Sequence, residues 1–170
     1  RPPATRCLGD YRSSPQHADD VRRLLAQLKA QHGLKNFYVL GHSLGTISSR
    51  WLAINLGKDE IAGSIHSSAM NSFAPNLYSL LGDLPRLFPA KSAGAPSLNV
   101  HNENDACRST PYNYVKNYSQ DNLVTVRGGV PEGDPCGGGH LHSHQGREAV
   151  VTDSIIRWIK TKQVDRVIGE

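Results

Sequence analysis

The stretch NFYVLGHSLGTISSRWLA, residues 36–53, decides the fold. Four apolar residues, Phe37-Tyr38-Val39-Leu40, run into a glycine, and their length and boundaries predict a short buried strand. Residues 45–56 then read as a helix with Ile47, Leu52 and Ile54 among its apolar positions, closed by Gly57. Between the two stands Ser43, in the sequence Gly41-His42-Ser43-Leu44-Gly45. A strand that turns sharply into a helix brings two backbones close together, which gives Gly41 and Gly45 a steric reason to lack side chains. The same turn lifts the serine hydroxyl clear of the sheet. It aims the Leu44 N–H and the positive end of the helix dipole at whatever binds there. Such donors stabilise an oxygen that becomes negative during acyl transfer.

Working outward, helix and strand alternate. Ser14 and Pro15 read as N-cap and first helical residue, Val21, Leu24, Leu25 and Leu28 recur at helical spacing, and Gly33 is the stop. Ile61–Ile65, Ser97–Val100 and Leu123–Val126 are further short strands, a helix fits from about Thr110 to Tyr118, and Val151, Ile155, Trp158 and Ile159 mark a final amphipathic helix. This alternation implies an α/β class with a mostly parallel sheet covered by helices on both faces. Residues 1–170 form a single domain, and 71–96, rich in Pro, Ser, Gly and Leu, read as a cap or lid excursion. Its Phe73, Leu77, Tyr78, Leu84 and Phe88 are available to line an apolar pocket or to pack the cap on the sheet.

A serine hydroxyl needs a base, and the base needs a carboxylate to hold its tautomer. In a parallel sheet both belong beyond the carboxyl ends of strands. After strand 97–100 the chain reads HNENDACRSTP, where Asp105 is the carboxylate of choice and Glu103 a weaker one. After strand 123–126 it reads GGVPEGDPCGGGHLHSHQGRE, with His140, His142 and His144 just before the last helix.

The order Ser, Asp, His is that of an α/β-hydrolase, and from Gly41 onward the chain resembles one. More narrowly, HNENDACRSTP followed by GDPC…H.H..G.E resembles a bacterial group of these enzymes. In that group one cysteine closely follows the acid and a second precedes the base by six residues. Cys136, His142, Gly146 and Glu148 match that register. The resemblance implies Ser43 as nucleophile, His142 as base with His140 as the alternative, Asp105 as acid and Leu44 as oxyanion donor. It also implies a disulfide between Cys107 and Cys136, joining the loops that carry acid and base. Such a bridge favours an oxidising compartment, periplasmic or extracellular. The implied activity is hydrolysis of small carboxylic esters through an acyl-enzyme, with acyl transfer or peptide cleavage using the same groups.

In that fold several strands precede the nucleophile strand, and one supplies a second oxyanion donor. The stretch before Phe37 holds one convincing helix and no apolar strand, so the expectation is that the strands preceding the nucleophile strand are missing. The chain would then be part of a longer hydrolase, a cleavage product partnered by its own N-terminal part, or a degenerate copy.

With 170 residues, 38% hydrophobic, the chain can bury one real core but not two comfortable ones. The net charge of +4 is spread over Arg22-Arg23, Lys58, Lys91, Arg127 and Lys160–Lys162 without a basic stripe, which argues against a nucleic-acid partner. No apolar run reaches the roughly 20 residues of a membrane span. Nothing implies a cofactor. Two other classes are kept in view. One is a metal site on His140, His142 and His144, which needs those residues on one side of a strand. The other is a non-catalytic binding protein that retains the scaffold.

Overall fold

The computed structural model of the protein describes residues 10–71 and 94–170. Five parallel strands lie in chain order: β1 (Tyr38–His42), β2 (Gly63–Ser67), β3 (Ser97–Asn102), β4 (Leu123–Val126) and β5 (Val167–Ile168). Among the described residues, four α-helices accompany them: α1 (Pro15–His32), α2 (Gly45–Asn55), α3 (Tyr112–Ser119) and α4 (Glu148–Thr161). Helix α1 starts and stops where the sequence says it should. The Ser14 side chain accepts from the His17 N–H, Pro15 opens the helix, and Gly33 caps it at φ 65° with its N–H on the Lys29 carbonyl.

Neighbouring strand residues face opposite ways, and this sorts the core into two layers. Val39, with Ala18, Leu25, Leu52, Leu56 and Ile61, packs against α1 and α2. Tyr38, with Ile65, Leu98, Val100, Val124, Val126 and Ile168, packs against Val151 and Trp158 of α4. The parallel sheet with helices on both faces is therefore present. Among the described residues β1 is a sheet edge, and Leu40 stands 57% exposed on it.

The strands differ from expectation in one systematic way. β1, β2 and β3 each run two residues past the apolar stretch, through Gly41-His42, His66-Ser67 and His101-Asn102. β2 begins at Gly63 rather than Ile61, whose buried side chain belongs to the connection leading in. β5 was not anticipated, because two residues are too few to show a period. The proposed cap is outside the described residues over 72–93, Phe73 to Phe88 included.

Of the two glycines flanking the turn, only Gly41 is sterically required. A Cβ on Gly41 would lie 2.5 Å from Ser49 Oγ and 2.6 Å from the Gly45 carbonyl carbon, so helix α2 approaches the strand through that missing side chain. A Cβ on Gly45 meets nothing within 4 Å. The crowding lies on the strand side of the turn alone. Gly41→Ala is therefore expected to cost more than about 3 kcal/mol, since the obstruction is backbone that cannot swing aside. Gly45→Ala should instead be neutral or stabilise by roughly 0.5–1 kcal/mol through helix propensity. Urea unfolding of the two variants measures both signs.

Candidate active site

All the polar residues singled out in the sequence gather beyond the carboxyl ends of β1 to β4. Ser43 follows β1 and takes a left-handed conformation, φ 50°, that a non-glycine residue adopts at a cost of about 1–2 kcal/mol. Neighbours over-determine this strained turn. The Ser43 N–H donates to the Ser67 carbonyl at 3.0 Å. The Ser43 carbonyl accepts from the Thr46 N–H at 2.9 Å and from Thr46 Oγ1 at 2.6 Å. Thr46 Oγ1 in turn accepts the Met70 N–H at 3.0 Å. The next residue, Leu44, precedes helix α2, stands 41% exposed, and has an N–H with no hydrogen-bond partner among the described residues.

Asp105 sits in a turn after β3 that Asn102 shapes, accepting the Asp105 N–H on its carbonyl and the Asn104 N–H on its side chain. The Asp105 side chain has no solvent exposure. Its Oδ1 accepts the Cys107 N–H at 2.9 Å. Its Oδ2 accepts from Thr110 Oγ1 at 2.8 Å and faces two imidazoles, His142 Nδ1 at 3.0 Å and His101 Nε2 at 3.2 Å. Burial alone would raise the carboxyl pKa. The hydrogen bonds from His101, His142, the Cys107 N–H and Thr110 outweigh it and hold Asp105 far below the ordinary carboxylate range. Asp105 is thus held ionised below the pH at which an ordinary carboxyl takes up its proton.

His142 lies in a single 3-10 turn, Leu141–Ser143, and is 1% exposed. Ser68, at the end of β2 and left-handed at φ 43°, donates its hydroxyl to the His142 carbonyl at 2.6 Å. Consecutive residues of one strand end, Ser67 and Ser68, therefore hold the Ser43 backbone and the His142 backbone. The imidazole keeps one nitrogen on Asp105, while its Nε2 is buried without a hydrogen-bond partner in the described residues. No hydrogen bond joins Ser43 Oγ to that nitrogen. In unliganded sites such bonds commonly tighten only once substrate is in place. An imidazole gripped by a carboxylate on one side and bare on the other can accept a proton there.

The three loop histidines part company in the structure. Asp105 contacts His142, whereas His140 makes no contact with it, so His140 as the alternative base lacks its carboxylate. Nor are His140 and His144 solvent-exposed loop residues. Both are buried, because the loop folds back onto the β2 end, where His144 Nε2 meets Ser67 Oγ at 2.9 Å. Residues 141–143 make a 3-10 turn and not a strand. Among the described residues no group of His, Cys, Asp or Glu is arranged to hold a metal ion. Glu103, the weaker acid candidate, pairs with Arg127 at 3.2 Å instead. His42, Ser67, Ser68, His101 and Thr110 were not anticipated. The first four are polar residues at or beside strand ends, and Thr110 just precedes α3, places that the apolar pattern does not mark.

Cys107 and Cys136 form the expected disulfide, with Cα atoms 4.7 Å apart across a separation of 29 residues. The bridge ties the acid turn to the segment leading into His142. Cys107 also donates its N–H to Asp105. In the chain-entropy picture a loop of this length contributes about 3–4 kcal/mol. Denaturant titrations with and without a phosphine reductant should differ by that amount, and hydrolytic turnover should fall with reduction.

A serine held left-handed between a parallel strand and a helix, with an Asp–His pair beyond the later strands, defines an α/β-hydrolase-type site. The family model described as serine aminopeptidase, S33, matches residues 7–131, and the chain belongs to that family. The match spans Ser43 and Asp105 and ends before His142. No curated protein and no solved structure matched the chain. No helix among the described residues is long and apolar enough to cross a membrane.

Proposed function

We propose that the protein is a serine hydrolase that cleaves small carboxylic esters through an acyl-enzyme. Ser43 attacks the carbonyl carbon as His142 Nε2 takes its proton, and Asp105 stabilises the imidazolium. The Leu44 N–H donates to the carbonyl oxygen as it becomes negative. His142 then returns the proton to the departing alkoxide, and water repeats the sequence to release the acid. The observation that carries this reading is the pairing of His142 Nδ1 with a fully buried Asp105 while Nε2 is left bare. Family membership supports a hydrolase, and the spacing of Cys107 and Cys136 around acid and base agrees with the bacterial group named above. The disulfide supports an oxidising location, secreted or periplasmic.

The family description favours a second reading, cleavage at the free amino end of a peptide. Such a site needs an anion for the ammonium group. Asp105, the carboxylate gathered here among the described residues, is committed to His142, Thr110 and His101, and this favours the ester. Turnover of p-nitrophenyl acetate and butyrate, set against aminoacyl p-nitroanilides, separates the two. Ester turnover alone is expected. Amide turnover alone would establish the aminopeptidase. Neither, in folded protein, would return the chain to the non-catalytic class.

A further inference from the structure

Beside Ser43 lies a second chain of polar groups that the acyl-transfer steps do not use. Ser67 Oγ is 2.9 Å from His144 Nε2 and 3.1 Å from His42 Nδ1. The His42 ring stands against His142, centroids 5.1 Å apart, and 6.2 Å from His144. Ser67 could accept from both imidazoles, but it is buried, and its own proton would then lack an acceptor; it therefore donates to one nitrogen and accepts from the other. His144 Nδ1 decides which. It is buried with no partner among the described residues, and a proton there would be an unsatisfied buried donor. His144 therefore carries its proton on Nε2 and donates to Ser67. Ser67 donates to His42 Nδ1, which leaves the His42 proton on Nε2. That nitrogen has no hydrogen-bond partner in the described residues, and the ring is half-buried at the edge of the space beside His142.

We propose that His42 is a substrate-positioning residue, locked by Ser67 and His144 as the Nε2–H tautomer so that it presents a neutral donor to an acceptor oxygen near the scissile carbonyl. The ligand chemistry is an acyl group carrying an ether or hydroxyl oxygen close to that carbon. The inference rests on Ser43 and His142 acting as proposed above. The chain stays uncharged at neutral pH: burial, then repulsion by His142, lowers the His42 pKa, and burial, then His42, lowers that of His144 to about 4. The other groups acting on His42 are Asp105, which opposes the shift, and His101, which adds to it. Both shifts favour the neutral imidazole at pH 7.5, where the tautomers are compared.

Imidazole nitrogen NMR at pH 7.5 reads the tautomer without any substrate. A bare Nδ1 and protonated Nε2 on His42, turning into a tautomer mixture in Ser67→Ala, are expected, whereas a proton on Nδ1 in the unaltered protein overturns the proposal. Kinetically, His42→Phe should lower kcat/KM about tenfold more for p-nitrophenyl methoxyacetate than for the near-isosteric butyrate. His42→Gln, which keeps an amide donor near the Nε2 position, should restore most of the difference. Equal losses on both esters would overturn the role. Fluorophosphonate labelling of Ser43 in the same samples separates the readings: failure to label the unaltered protein would refute the nucleophile while the tautomer result stood.

Discussion

Ser43→Ala is expected to lower kcat by about 10⁶-fold with the far-ultraviolet circular dichroism unchanged. The size of the loss follows from the way the groups act as a unit. With the hydroxyl gone, the bare nitrogen of His142 and the carboxylate behind it have nothing to activate, and the residual rate is that of water in a binding site. Ser43→Gly should abolish activity equally and raise stability. Residue 43 is held at φ 50°, where glycine pays no steric cost, so relief of about 1–2 kcal/mol, less a few tenths for the freer unfolded chain, should appear as a higher Tm. A more stable and inactive Ser43→Gly beside an inactive Ser43→Ala would show strain stored at the reacting residue. A lower Tm for the glycine variant would show instead that the serine side chain supports the turn.

Asp105→Asn is the second large effect, a fall in kcat of about 10³–10⁴-fold. The site around residue 105 is built of donors: Thr110 Oγ1, His101 Nε2 and the Cys107 N–H. An amide there turns its own N–H toward His142 Nδ1, which must then accept, and the imidazole proton moves to Nε2, where it faces Ser43. The base is present in the wrong tautomer. The variant also carries a stability signature with a definite sign. The Asp105 pKa is depressed in the folded protein, so its contribution is present above the ordinary carboxylate range and is lost as pH falls towards the folded value. The Tm deficit of Asp105→Asn should be greatest near neutrality and should narrow below about pH 4. A deficit that widened with acid would mean that Asp105 is not held ionised by its neighbours.

How much of this could be read from the sequence depends on what a residue's neighbours in the chain reveal. The Ser43 turn, the capped helix α1 and the strand–helix alternation are local patterns, and each held. Asp105 and His142 were reached by chemistry, since a serine needs a base and a base an acid, and the fold dictates their order. The boundaries failed where polarity and strand geometry coincide. His42, His66-Ser67 and His101-Asn102 are strand residues by pairing, yet polar by nature, so an apolar run stops two residues short of each strand end. Of these, His42, Ser67 and His101 lie against His142, His144 and Asp105 respectively. Ser68 on the His142 carbonyl, Ser67 between two imidazoles and His101 behind Asp105 are contacts between segments far apart in sequence, and no spacing encodes them. Gly45 shows the opposite error, in which a symmetric motif suggested a symmetric steric cause, while only Gly41 meets the opposing backbone.

Mass spectrometry of the folded protein after treatment with a fluorophosphonate, with peptide mapping of the adduct, tests the convergence of Ser43 with His142 and Asp105 most directly. A single adduct on Ser43 is expected, formed at a rate that collapses in His142→Ala and is retained in His140→Ala. No adduct on folded protein, an adduct on another residue, or labelling of Ser43 that ignores His142 would contradict it.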